Sequence, residues 1–138
     1  MKPVNEILTI LKNNATAELP SLLSAYGIAN FNVYEIGQSR DESDTGFFVY
    51  EDKKSWSHDR NQLDLVLQLQ LPGLTVLESA KYKEAIFEWI SGYDVSGFGM
   101  IQIDMIETET WPNVNVNTTI IFFDVSISEE LDSCDQRR

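Results

Sequence analysis

The stretch Leu63-Asp-Leu-Val-Leu-Gln-Leu-Gln-Leu71 decides the fold of this chain, because leucine occupies every odd position in it. Successive side chains of an extended strand point to opposite faces. We therefore predict a strand over Gln62–Leu71 with one wholly apolar face. The other face is mostly polar, with Asp64 and Gln68 beside Val66. This second face is expected to be partly solvated or to meet a partner.

The N-terminal segment of the chain has apolar residues at helical spacing. Val4, Ile7 and Leu11 recur at helical intervals after Pro3, a residue that suits a first helical turn. We predict an N-terminal helix over Pro3–Leu11, with a continuation that weakens toward residues 13–19.

A second, short helical piece is predicted after that continuation. It begins at Pro20, because proline disfavours the interior of a helix. It ends at Tyr26, because the following Gly27 is a natural C-terminal cap.

A long amphipathic helix is predicted after the leucine strand, over Leu77–Ile90. Thr75-Val-Leu-Glu78 matches a capping box, in which the threonine hydroxyl and the glutamate each bond an early backbone amide. The helical spacing predicts a buried stripe. Its members are Leu77, Ala80, Ala85, Ile86, Trp89 and Ile90, with Tyr82 at its edge.

Four further strands complete the predicted sheet: Phe31–Ile36, Phe47–Glu51, Met100–Ile106 and Thr118–Ile127. The last is apolar on both faces at its start, which is typical of a central strand. The two late strands are joined by too few residues for a helical crossover, so they should pair antiparallel. The sequence thus predicts an α+β fold, a mostly antiparallel sheet of about four to five strands with both helices on one face.

The composition favours one domain. With 138 residues, of which 43% are hydrophobic, the chain is long enough to bury a core. We predict a single domain over residues 1–128 and a polar tail over 129–138. The one cysteine, Cys134, allows no internal disulfide, which fits a cytoplasmic origin. We expect no membrane span and no secretory signal.

The formal net charge is −12, so the chain should repel nucleic acid at long range. The closest approaches to a basic patch are the pairs Lys53-Lys54 and Arg137-Arg138. The acidity indicates a solvated surface, a surface for basic partners, or one past which DNA can move without adhering.

No constellation of residues predicts catalysis, a cofactor or a metal. His58 is the only histidine, and zinc sites need several nitrogen or sulfur ligands. The acidic residues in 41–46 lack the ligand register of a calcium loop. Asp64, Asp104 and Asp124 each alternate with apolar residues, so they should point to solvent or to an interface. We expect the protein not to be an enzyme.

Two tryptophans are the best candidates for partner contact. Trp56 and Trp111 fall in predicted connections, where an aromatic side chain often anchors a protein interface. Trp89, by contrast, lies on the predicted helix stripe and should be core.

The order of elements resembles that of the tail terminator, or tail completion, proteins of long-tailed bacteriophages. The segments that carry the resemblance are Pro3–Leu11, Gln62–Leu71, Leu77–Ile90, Met100–Ile106 and Thr118–Ile127. The resemblance covers most of the chain but rests on topology, and it transfers no functional residue.

This resemblance implies a structural virion protein that is assembled in the host cytoplasm. Such a protein forms a ring, usually hexameric, that caps the tail tube and joins it to the head connector. Its implied partners are copies of itself, the tail tube protein and the head–tail connector protein. DNA would pass through the ring without specific binding.

Two alternatives stay open. Acidic secretion chaperones of the type III class are small α+β dimers that bind unfolded effector segments, and they too combine an early helix with a run of strands. Their last element is usually a helix, whereas here a strand is predicted. A small enzyme of unknown type is the third hypothesis.

Overall fold

The computed structural model describes residues 4–28, 31–34, 45–51, 62–91, 93–95, 99–112 and 117–128. Two helices and six strands follow one another along the chain. They are α1 (Val4–Ser24), β1 (Phe31–Tyr34), β2 (Thr45–Glu51), β3 (Gln62–Pro72), α2 (Val76–Ile90), β4 (Asp94–Val95), β5 (Gly99–Trp111) and β6 (Thr118–Ser128). The strands form one sheet in the order β1-β2-β3-β6-β5-β4.

The predicted α+β class and the mostly antiparallel character of the sheet are confirmed. The expected number of strands was too low, since the sheet has six. The strand that was missed, β4, has two residues, too few to show alternation. The pair β1–β2 runs parallel. Alternation specifies which side chains face the core, but not the direction of the neighbouring strand.

The centre of the sheet is the antiparallel pair β3–β6, which is in register from Gln62↔Ser128 to Pro72↔Thr118. The predicted central position of β6 is confirmed. The odd-numbered leucines of β3 are all buried against the helices, as their alternation predicts. On β6 the residues that share this face are Ile121, Phe123, Val125 and Ile127, and they are buried too.

Helix α1 is one continuous helix, so the prediction of two pieces was wrong. It runs through Pro20, which lies on the exposed side. Residues four apart form its buried stripe: Ile7, Leu11, Ala15, Leu19 and Leu23. Because this apolar stripe packs on the sheet on both sides of the proline, its burial outweighs the hydrogen bond that proline cannot donate.

The predicted cap at Gly27 is confirmed. Gly27 has a φ of 102°. Its amide donates to the Ser24 carbonyl at 3.0 Å, and the Ile28 amide donates to the Leu23 carbonyl at 3.2 Å. This pair of bonds is the Schellman motif, which ends a helix at a left-handed residue.

The capping box of α2 is also confirmed. The Glu78 amide donates to Thr75 Oγ1 at 3.1 Å, and the Thr75 amide donates to Glu78 Oε1 at 3.0 Å. The buried residues of α2 are Ser79, Tyr82, Ala85, Ile86 and Ile90. Leu77 and Ala80 were predicted to be buried, but both are exposed, since the helix packs with a face rotated away from its first apolar residues.

Strand β5 is longer than predicted and contains a bulge. Ile103 pairs with Val125, whereas Met105 pairs with Asp124, so Asp104 is the extra residue. The bulge moves the helix-facing positions from odd to even numbers, from Ile103 to Ile106. This shift keeps the apolar side chains on the helix side along the whole strand.

Within the described residues, neither helix combines the length and the apolar character that crossing a bilayer requires.

Candidate interaction surface

The sheet has an outer face, opposite α1 and α2, where the side chains are of mixed character. One row of paired residues crosses it from β1 to β5: Tyr34, Phe48, Gln68, Phe122 and Glu107. The row mixes aromatic, amide and carboxylate groups. Its composition differs from that of the helix-covered face, which is almost wholly aliphatic and aromatic.

The outer face is buried near its centre. Val66, Gln68 and Ile120 all have less than a tenth of their surface exposed. Gln68 satisfies its amide through neighbours on the same face, donating from Nε2 to the Tyr50 hydroxyl at 2.9 Å and accepting a bond from Gln70 Nε2. A buried amide that is hydrogen-bonded in this way costs little to bury. The buried Gln68 amide at the centre of the outer face therefore has its hydrogen-bond partners within the chain.

Exposure rises toward β5 on the same face. Met105 is 48% exposed and Trp111 is 44% exposed. Glu107 and Glu109 lie between Met105 and Trp111 along the same face of β5, and both carboxylates are exposed. We call the group Met105, Glu107, Glu109, Trp111 and Phe122 the β5 surface. It combines apolar area with negative charge, which suits contact with another molecule.

Trp111 is held in place although it is exposed. Its Nε1 donates to Glu109 Oε1 at 2.9 Å, and its ring lies 6.2 Å from that of Phe122, at 52°. Trp111 was predicted to lie in a connection, but it is the last residue of β5, because the strand continues past the bulge. Trp56, the other candidate for partner contact, lies outside the described residues.

The outer edge of β5 is open in the described part of the chain. β4 pairs only with Gly99 and Met100, and the Ile101 amide donates to the Tyr93 carbonyl at 2.9 Å. From Gln102 to Trp111, no described strand pairs with that side of β5. We call this stretch the β5 edge. Open edges expose backbone donors and acceptors to other chains.

Charges are distributed unequally between the two layers. Among the described residues, every lysine lies on a helix: Lys12 on α1, and Lys81 and Lys83 on α2. The charged residues of the described strands are all acidic. They are Glu51, Asp64, Asp94, Asp104, Glu107, Glu109 and Asp124. The described strands thus carry negative charge alone, whereas the described helices carry both signs.

A polar cluster joins α1 to the segment after α2. Asn14 Nδ2 donates to the Tyr93 hydroxyl, and Trp89 Nε1 donates to Glu18 Oε1 at 2.7 Å. Burial raises the pKa of Tyr93 above its ordinary value of 10.0, and the Glu18 carboxylate raises it further, whereas the bond from Asn14 opposes both. Trp89, which was predicted to be core, is half-buried against the core, with its ring 6.3 Å from that of Phe47. The cluster ties the helix layer together.

A second apolar patch lies at the start of α2. Leu77 is 85% exposed and Val76 is 53% exposed, beside the half-buried Leu74. Two shallow depressions flank these residues, one of them against Thr110 on β5. The Leu74 carbonyl is not free, since it accepts a bond from Thr119 Oγ1 at 2.6 Å. Glu78 and Lys81 are the charged residues that line one of these depressions.

The acidic residues of the strands do not form a metal site in the described part of the chain, where no group of three metal-ligating side chains occurs. In the register of the β3–β6 pair, Asp64 lies opposite Ser126, and Asp124 lies opposite Val66. Asp104 is the exposed bulge residue. His58, Cys134 and the acidic residues 41–44 lie outside the described residues, so the predictions made for them stay predictions.

No model of a known protein family matches the chain, and no curated protein is significantly similar to it.

Sequence reasoning identified Trp111 but missed the rest of the β5 surface. Met105 and Phe122 were assigned only to strands, without a role at an interface. One signal was available in the stretch Ile101, Ile103, Ile106, where the spacing changes from two to three. That change predicts a bulge, and a bulge turns Met105 to the outer face.

Proposed function

We propose that this chain is a structural subunit of the tail terminator type, which assembles head to tail into a ring that caps a phage tail tube and joins it to the head connector. The observation that carries the proposal is the unequal charge of the two layers. The order of elements, on which the resemblance to that family rests, supports it as well.

The charge distribution disfavours contact between like surfaces of two copies. A two-fold contact through the sheet layers would bring Glu107 and Glu109 of one copy toward the same acidic layer of the other. Like charges that face each other across an interface cost free energy. A symmetric dimer through this layer is therefore disfavoured.

Contact between unlike surfaces is favoured instead. Lys81 is exposed and Lys83 is half-buried on α2, so these two lysines of one copy can meet the acidic sheet layer of the next. Contacts between two different surface patches repeat around an axis, and they close into a ring when the rotation permits. This is the type of assembly that a tail terminator requires.

The net charge of −12 is compatible with the passage of DNA. A pore lined by carboxylates repels the phosphate backbone, so DNA moves past it without adhering. The proposed function needs no bound ligand and no covalent chemistry.

Negative-stain microscopy and light scattering of the purified chain test the proposal. We expect ring particles and a mass of several subunits at low salt, both decreasing as salt screens the contact. A stable dimer with no larger species at high concentration would contradict the proposal and favour the acidic chaperone. The open β5 edge supports that alternative, since a chaperone binds extended segments.

A charge-reversal variant tests the contact itself. K81E/K83E should abolish the rings while the far-ultraviolet circular dichroism spectrum stays unchanged. E84Q/E88Q on the same helix is the matched control, because it removes two exposed acidic charges from α2 and should leave the rings intact or strengthen them. Rings that survive K81E/K83E would show that the lysines do not form the contact.

A further inference from the structure

We propose that the β5 edge binds an extended segment of a partner protein in which aliphatic residues alternate with lysine or arginine. The segment adds a strand to the sheet, outside β5. The proposal goes beyond the ring, since it concerns a second partner and holds whether the chain is a ring subunit or a dimer.

The backbone provides the first part of the argument. β4 covers only the start of β5, and the strand continues as far as Trp111 without a described neighbour on that side. Its residues beyond the bulge are exposed or half-buried. An added strand gains main-chain hydrogen bonds along such an edge, and its alternate side chains meet the two faces of the sheet.

The side chains of β5 specify which residues such a strand needs. On the helix side β5 presents Ile106 and Thr108, both half-buried. A β-branched or aliphatic side chain of the added strand would extend the core there. On the outer face the added strand would meet Glu107 and Glu109, which are exposed and acidic. A lysine or arginine there forms ion pairs across the strands.

Trp111 and Met105 lie at the two ends of the acidic pair on the outer face. Because Trp111 is held by Glu109 and by Phe122, its indole ring is positioned before the partner binds. A cation that reaches Glu109 can also lie over this ring, an arrangement that is attractive in itself. Basic side chains are therefore favoured at this end of the site.

The same charges argue against a second copy of this chain as the occupant. Two β5 strands that pair antiparallel about a two-fold axis would place Glu107 and Glu109 of both copies on one face of the joint sheet. The other edge strand, β1, reads Phe-Asn-Val-Tyr and supplies no cation. Charge complementarity thus selects a basic strand from a different protein.

A titration of the full-length, ¹⁵N-labelled protein with synthetic peptides tests the proposal by NMR at low salt. The probe is a blocked seven-residue peptide in which valine and lysine alternate. We expect shifts of backbone amides concentrated in β5 and β6, and binding that weakens as salt is added. Two comparison peptides separate charge from strand addition. One alternates valine with glutamate, and the other has the probe sequence with N-methyl groups on alternate amides, and neither should bind.

E107Q/E109Q is the informative variant, and E84Q/E88Q is its control with the same change of charge on α2. E107Q/E109Q should bind the probe about three- to tenfold more weakly than the wild type does, as expected for the loss of exposed ion pairs. E84Q/E88Q should bind the probe with nearly the affinity of the wild type.

Equal affinity in the two variants would overturn the proposal. So would binding of the N-methylated peptide as tightly as the probe, or the absence of shifts in β5 at millimolar peptide. The oligomeric state is measured separately, so failure of the ring and failure of this site are distinguishable.

Discussion

The two faces of β3 show two ways of burying a strand. Its odd-numbered residues are leucines, which pack against α1 and α2 and have no hydrogen-bonding needs. Its even-numbered residues bury Val66 beside Gln68, whose amide is satisfied by Tyr50 and Gln70. The first face derives its stability from area removed from water, and the second from matched polar partners. The faces should therefore respond differently to mutation.

The largest effect is expected from Leu67→Ala. Leu67 is fully buried at the centre of the helix-covered face, opposite Phe123, and truncation leaves a cavity. We expect the free energy of unfolding to fall by about 2–5 kcal/mol, measured by urea denaturation. Gln70→Ala, on the other face of the same strand, is the comparison and should cost about 1 kcal/mol, because it removes one hydrogen-bond partner of Gln68 but creates no large cavity. Similar costs for the two variants would remove the contrast between the faces.

Gln68→Leu tests the polar face. The substitution keeps most of the volume but leaves the Tyr50 hydroxyl without the amide that bonds it at 2.9 Å. We expect a loss of about 0.5–1.5 kcal/mol. Tyr50→Phe removes the same bond from the other side, so the double variant should lose less than the sum of the single losses. Strict additivity would show that the bond contributes nothing.

The pH dependence of stability reports on Tyr93, on the helix-covered side. Its pKa is raised in the folded protein, so folding favours the protonated phenol. The contribution of Tyr93 to the free energy of unfolding is fully present below the pKa that tyrosine has in the unfolded chain, about 10. It is lost as pH rises through the higher folded value. Chemical denaturation between pH 8 and 11 should therefore show a steeper alkaline decline for the wild type than for Tyr93→Phe. Parallel declines would contradict this assignment.

Trp111→Ala should have the smallest effect on stability. Nearly half of this side chain is exposed, and its packing contact is with Phe122 alone among the ring pairs of the described residues. We expect a change within about 0.5 kcal/mol in thermal or urea denaturation. Trp89→Ala is the control, because Trp89 packs against both Phe47 and Tyr93 and should cost several times more. Equal losses would make Trp111 a structural residue.

Much of the fold could be predicted from the sequence, because the strongest patterns are those with the largest buried area. The leucine alternation of β3, the capping box at Thr75 and the cap at Gly27 each correspond to one observed structure. The failures occurred where a pattern permits two packings. Leu77 has helical spacing with the core residues, but only the orientation of α2 on the sheet decides whether it is buried.

Pro20 shows the same limit in the helix layer. Local propensity predicts a break there, yet the stripe from Ile7 to Leu23 is continuous and its burial prevails. Of the candidate site, Trp111 was found because aromatic residues in polar surroundings are informative. The β5 edge was not found, because an open edge is a property of the assembled sheet and of no single residue.

The bulge at Asp104 has a consequence for how this gene can change. Loss of that one codon would leave a regular ladder in which Met105 follows Ile103, and the residues beyond it would keep both their partners and their sides. Glu107 and Glu109 would stay on the outer face, and Ile106 would stay on the helix side. An in-frame deletion at position 104 should therefore be better tolerated than deletion of Thr108, after which Glu109 would turn to the helix side and Thr110 to the outer face.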